Sequence, residues 1–268
     1  MNFFTIHRTE SKNASYWRNV QSMRDRYEGK MHLYLKSVLN KQYKNLDIRP
    51  DNYSDPNLTN QITEEPIEKA FRYLYMSVGM DFASGVFRGV KGHKTGMMFK
   101  AEDDPIDEWM DQLQWYIKNK AGKRITSITK ESRRQAVKII QDTLDETIAE
   151  GLGADQTARI IRKTLIEQGI QLNQWRALRI ARTEVMTASN QGSFIGAQSA
   201  GAEFKYWIAT HDQRVRDTHL EVEQQNPKRI DEAFIVGGIP AECPGDPDLP
   251  AEEVINCRCA IAFGMEGF

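Results

Sequence analysis

Two thiols one residue apart are the most suggestive chemistry in this 268-residue chain. Cys257 and Cys259 stand in INCRCAIAF, a short apolar run that reads as a strand. Alternate residues of a strand project to one face. A Cys-x-Cys pair therefore holds its sulfurs side by side, too tightly for an easy disulfide but well placed to share one metal ion. Cys243, in the proline-bracketed turn ECPGDPDLP, and His219, in RVRDTH, are the groups available to join them. One imidazole and three thiolates would make a tetrahedral structural zinc site. The spacing matches no standard zinc finger. The competing reading is that the cysteines are small buried core residues and His219 makes an ordinary hydrogen bond.

A hydrolase, with a nuclease as its leading version, would use His219 as general base and Asp212 or Glu184 as its partner. No His-Glu-x-x-His, Gly-x-Ser-x-Gly or phosphate-loop pattern supports that chemistry, so a non-enzyme is expected. The arginines Arg182, Arg214, Arg216 and Arg258 are better explained as ion-pair partners of Glu184, Asp212 and Asp246. In that reading Arg182, Glu184, Asp212, Arg216 and Asp246 are polar residues that fix the loops of the C-terminal domain.

The elements that must position these groups divide the chain in two. The first two-thirds read as helices. From Ser15 to Asn45 the apolar stripe Trp17, Val20, Met23, Tyr27, Met31, Leu35 and Val38 recurs at three- and four-residue spacing. So long a stripe suggests packing against a partner chain, with burial in the chain's own helical bundle as the alternative. Thr63, Glu64, Glu65 and Pro66 make a helix start, for a helix expected to reach Phe87. GVKGHKTGMMFK reads as a loop. Asp104–Pro105 opens another helix, and Val137, Ile140, Leu144 and Ile148 stripe the next one up to Gly151. A short helix over 155–168 and a separate one over 173–200 follow. The latter carries Ala181, Ala188, Gly192 and Gly196, small residues that would let a neighbouring backbone approach. After Gly201, EFKYWIAT, EAFIVGG and CRCAIAF read as strands among Pro- and Gly-rich turns. The expected fold is mainly α: helical residues 1–153, then a small α+β domain over 154–268.

Composition is that of a globular chain. No membrane span is expected, because no stretch approaches ~18 uncharged apolar residues. The N-terminus lacks the charged-then-apolar order of a signal peptide, and an odd, low cysteine count favours reduced thiols. Charge is uneven: residues 1–50 carry ten Lys or Arg against four acids, and 118–138 carry eight against one. From Gly201 onward there are six bases against thirteen acids. Any nucleic-acid or acidic-protein contact is thus expected in the N-terminal half, through Arg24, Arg26, Lys30, Arg133 and Arg134. The plain alternative is that these bases solvate helix faces.

Taken in order, ARTEVMTASNQG, YWIATHDQRVRDTH and PGDPDLPAEEVINCRC resemble the C-terminal domain of the phage Mu protein F-like minor head proteins, or head morphogenesis proteins. The resemblance spans about Ile180 to Phe263. It falls on Arg182, Glu184, Asn190 and Gly192, then on Trp207, Asp212, Arg216 and His219. It continues through Pro244, Gly245, Asp246 and Pro247 to Asn256, Cys257 and Cys259. Cys243 falls outside the cysteines that the family pattern implies. Some relatives carry a further toxin-like domain after this one, and none is expected in the few residues after Cys259. The resemblance implies a minor head protein of a tailed phage, inside the head at the portal vertex. Its partners would be the portal, the capsid interior and, through the basic half, packaged DNA. It would act in head assembly and in DNA packaging or ejection. A nuclease-like enzyme and a plain DNA-binding protein are the alternatives.

Overall fold

The computed structural model describes residues 10–264, with side chains from residue 15 onward. The first nine residues, which include Arg8 and most of the stretch read as lacking a signal peptide, lie outside the described residues. The chain is mainly helical. Helices α1 (Glu10–Lys44), α2 (Glu65–Leu74), α3 (Met80–Thr95), α4 (Ile106–Tyr116), α5 (Gly122–Ala149) and α6 (Ala154–Ala200) precede a small region of short strands. One π-turn, Tyr75–Gly79, joins α2 to α3, and a second, Ile117–Ala121, joins α4 to α5. The C-terminal region contributes β1 (Phe204–Ile208), α7 (Asp217–Glu223), β2 (Lys228–Arg229), β3 (Phe234–Val236), β4 (Ile239–Ala241), α8 (Ala251–Val254) and β5 (Ala260–Gly264). No helix among the described residues is long and apolar enough to cross a membrane.

The expected break between two helices at 168–173 does not occur; α6 runs unbroken for 47 residues. Gly169 is a site of close approach and does not stop the helix, since a Cβ there would sit 2.3 Å from the Tyr43 ring. The expected loop GVKGHKTGMMFK is helical as far as Thr95, and Gly96, at a φ of 70°, ends α3. A left-handed glycine is a common helix terminator, and it was the third glycine of this segment, not the first, that served.

The chain forms two compact units. One combines the chain up to Lys30 with Arg72–Lys120 and everything from Ala181 onward. The other combines Met31–Phe71 with Ala121–Ile180. The expected boundary at 153/154 coincides with the turn between α5 and α6, but the units are not divided there: α1 and α6 each supply residues to both.

In the second unit, Tyr43, Leu46, Ile48, Leu58, Ile62, Ile139, Ile161 and Leu165 form one apolar cluster. Met31 and Leu35, on the stripe thought to await a partner chain, are buried to 1% and 0% exposure. Their stripe is core, and it continues through Leu39 and Tyr43, not Val38. The buried face of α5 includes Ile140 and Leu144 of the expected stripe but differs from it otherwise. Ile148 is 65% exposed, whereas Thr129, Ser132, Thr143 and Thr147 are buried. Their hydroxyls donate to carbonyls three or four residues back, as in Thr129 to Ile125 at 3.0 Å and Thr143 to Ile139 at 2.7 Å. A hydroxyl satisfied in this way can face a core, so an apolar-only stripe was the wrong template.

In the first unit, α6 lies against the α2–α3 segment through its small residues, as their pattern predicts. A Cβ on Gly192 would come within 2.1 Å of the Gly79 carbonyl oxygen, and one on Gly196 within 2.2 Å of that of Ala83. The sheet of this unit has the order β2-β1-β5, all antiparallel. β1 pairs with β5 from Phe204↔Gly264 to Ile208↔Ala260. β3 and β4 form a separate hairpin. Gly237 and Gly238 turn it, both at positive φ, as two-residue hairpin turns require. Every residue of β5 is buried, which is why its sequence is continuously apolar instead of alternating.

Candidate functional site

Three elements converge beneath this sheet. Arg216 stands at the N-cap of α7, which carries His219 on its buried side. After α8 the chain turns at Ile255–Asn256, with Asn256 at a φ of 57°. Asparagine tolerates this left-handed conformation better than most residues. The turn delivers Cys257 and Cys259 just ahead of β5, not on a strand face as expected, because pairing begins only at Ala260.

The sulfurs nevertheless converge on one imidazole. His219 Nδ1 lies 3.3 Å from Cys259 Sγ and 3.6 Å from Cys257 Sγ. The Cys259 amide donates to Cys257 Sγ at 3.4 Å. On the other side of the ring, His219 Nε2 lies 3.0 Å from a Glu253 carboxylate oxygen. The Thr218 hydroxyl holds that same oxygen at 2.9 Å. Trp207 covers the imidazole edge-on at 5.4 Å between ring centres. All three donor residues are buried, and their ligand atoms lie within 4.8 Å of one another. Of the two thiols, Cys257 ionises first. The Cys259 side chain donates to it, which outweighs the cost of burial, and His219 adds to the effect.

Cys243, the expected fourth ligand, stands elsewhere. It is buried, its sulfur is 3.9 Å from Gln191 Oε1, and burial pushes its thiol up. It lies on the turn PGDP, whose geometry fits the chain around it in another way. Asp246 accepts the Glu242 and Asp248 amides, each at 2.9 Å, and Gly245 adopts a φ of 83° against α6. Asp246 thus fixes its loop through backbone amides, without an arginine.

The other polar residues follow the expected pairing at Asp212 and depart from it elsewhere. Arg258 grips Asp212 with two bonds of 2.5 and 2.6 Å. These bonds hold the Asp212 carboxyl well below the usual carboxylate range. Arg182 pairs with Glu28 at 2.6 Å instead of Glu184, and the Tyr75 hydroxyl donates to Glu184 at 3.0 Å. Arg216 donates to the Ile255 carbonyl at 2.7 Å. A general-base role for His219 finds no matching geometry here: both ring nitrogens face thiols or Glu253, and the residue is 1% exposed.

Arg24 requires the largest correction. Expected on a surface facing DNA or an acidic partner, it is 2% exposed. Its guanidinium donates to Ser189 Oγ and Asn190 Oδ1, each at 2.7 Å, and to the carbonyls of Cys259 and Arg258 at 3.1 and 3.2 Å. Burial lowers its pKa to about 10, so it stays charged at neutral pH. Asn190 completes the joint by donating to the Pro244 and Cys259 carbonyls and accepting the Ile261 amide. Tyr16 and Trp17 of α1 donate to the carbonyls of Ile261 and Arg258. Of the other expected contact residues, Arg26, Lys30 and Arg134 are exposed. Arg134 pairs with Glu131, and Arg133 donates to the Ile62 carbonyl.

Sequence reading missed two polar anchors. Lys205 is fully buried, bonded to Glu242 at 2.6 Å and set over the Phe194 and Phe234 rings. Its place at the inward parity of Trp207 on β1 was the available signal. Asn226 brackets Trp207 with two bonds of 2.7 Å, acting in place of a neighbouring strand; no local pattern marks it.

No curated protein and no solved structure matches the chain. The joint described above is built largely from the residues on which the resemblance rested: Asn190, the PGDP turn, Asn256 and the cysteine pair. Residues 138–262 match the family model described as Phage Mu protein F like protein, and over that stretch, just under half of its length, the chain is similar to that family.

Proposed function

We propose that this chain is a minor head protein of a tailed phage, acting in head morphogenesis from inside the capsid at the portal vertex. The observation that carries the reading is the family match over 138–262. Its support from the geometry is the nature of the matched residues, which are spent on joints between helices and strands. Partners follow from charge. The exposed bases Arg26, Lys30 and Arg134 are the side chains offered to an acidic portal or capsid surface, or to packaged DNA. The nuclease alternative loses its proposed base to the thiol–carboxylate environment of His219.

The experiment is to delete the gene from the phage and complement it with a tagged copy. Loss of normal heads or of DNA delivery, with the tag located at one vertex by electron microscopy, is the expected result. Normal heads of full infectivity without the protein would refute the reading. A cleavage activity on purified DNA, lost on His219 substitution, would favour the enzyme instead.

A further inference from the structure

We propose that His219, Cys257 and Cys259 bind one zinc ion, through His219 Nδ1 and the two sulfurs, with Glu253 orienting the imidazole from behind. The first argument is spacing. Ligands held by Zn–N bonds of about 2.0–2.1 Å and Zn–S bonds of about 2.3 Å at tetrahedral angles stand about 3.5 Å apart. The observed nitrogen–sulfur separations, 3.3 and 3.6 Å, fall on either side of that value.

The second argument is the tautomer. A metal-bound histidine must offer an unprotonated nitrogen, and its other nitrogen commonly donates to a carboxylate. Glu253 lies 3.0 Å from Nε2, close but not aligned as a hydrogen bond; a small turn of the ring would let the carboxylate take the ring proton and leave the Nδ1 lone pair to the sulfurs. Glu253 is itself held by the Thr218 hydroxyl, which leaves the carboxylate little freedom to turn away. This makes Glu253 a positioning residue.

The third argument is charge. Binding releases two protons, one from each thiol, and the resulting centre of two thiolates, one neutral imidazole and Zn²⁺ carries no net charge. A neutral centre suits a pocket in which all three donors are buried. Arg24 adds its donors to the carbonyls of Arg258 and Cys259, fixing the segment that carries the thiols. No fourth Cys, His, Asp or Glu joins the group among the described residues, so water takes the remaining position. The ion would fasten the turn before β5 to α7. This inference stands apart from the reading as a head protein, and either can fail without the other.

The test uses the full chain, expressed with zinc supplied and measured for metal content. About one zinc per chain is expected, retained in Cys243→Ser and lost in Cys259→Ser. Because Cys259→Ser could misfold, the wild-type chain is also stripped and reloaded with cobalt(II). Intense thiolate-to-cobalt absorption, displaced by added zinc, is expected. Glu253→Gln should lower zinc affinity by about 10- to 100-fold in a chelator competition. A folded wild-type chain that takes up neither zinc nor cobalt would overturn the proposal, and so would equal metal loss in Cys243→Ser and Cys259→Ser. Unchanged affinity in Glu253→Gln would remove Glu253 from it.

Discussion

Arg24 shows how one residue can decide the state of a whole segment. Its guanidinium donates to two side-chain oxygens and two carbonyls, so deletion removes four charge-assisted bonds at once and leaves Ser189 Oγ without its donor. Arg24→Met should destabilise the chain by about 3 kcal/mol or more, read from urea unfolding. Arg24→Lys should recover little, because an ammonium cannot reproduce a planar fork. The exposed clamp between Arg258 and Asp212 works on another principle, and pH reveals it. Arg258 holds the Asp212 carboxyl below its ordinary value. The stabilisation is therefore present above the unfolded carboxylate value of about 3.9 and is lost as pH falls through the lower folded value. Wild type should melt above Arg258→Ala at pH 7, and the gap should narrow steadily in acid. A gap independent of pH would show that Arg258 acts by packing alone. The sequence displayed Arg258 and Asp212 as partners of opposite charge in neighbouring motifs. It could not display Arg24, because burial of an arginine depends on acceptors 165 to 235 residues away.

Helices and strands were legible where the pattern was local. The existence of the main helices, the three principal strands and the small-residue face of α6 could all be read from spacing. What escaped were features set by tertiary contact: the continuity of α6 past Gly169, the hydroxyl-lined face of α5 and the two-residue β2. The hairpin of β3 and β4 was within reach, since Gly237-Gly238 between apolar runs is a hairpin signal, although Pro240 argued against a strand. Gly192 tests the element-scale reading directly. An added methyl would come within 2.1 Å of a backbone oxygen, which cannot rotate aside as a side chain can. Gly192→Ala should cost about 1–3 kcal/mol by overpacking, despite alanine's higher helix propensity. A stabilised variant in thermal unfolding would show that the π-turn at Gly79 can yield.

At the scale of the molecule, charge and connectivity carry the consequences. With Arg24 buried, the outward-facing bases of the two basic stretches include Arg26, Lys30 and Arg134. Reversing all three to Glu should leave the purified protein folded by circular dichroism, yet lower its incorporation into particles or their infectivity. Unchanged yields of infectious phage would mean that these bases only solvate helix faces. The convergence of His219, Cys257 and Cys259 could be inferred from residue types, whereas the expected fourth group, Cys243, is carried towards α6 by the turn that follows it.

The joint between α1 and the segment leading into β5 also has a consequence in time. Arg24 leaves the ribosome 235 residues ahead of its acceptor at Cys259. At about 5–20 residues per second, that interval is roughly 10–50 s of synthesis. Throughout it a charged side chain destined for burial, with Tyr16 and Trp17 beside it, has no strand to receive it. The unit that holds the cysteine pair therefore cannot close until β5 has been made, and the span 138–262 expressed alone would lack the helix against which that strand closes.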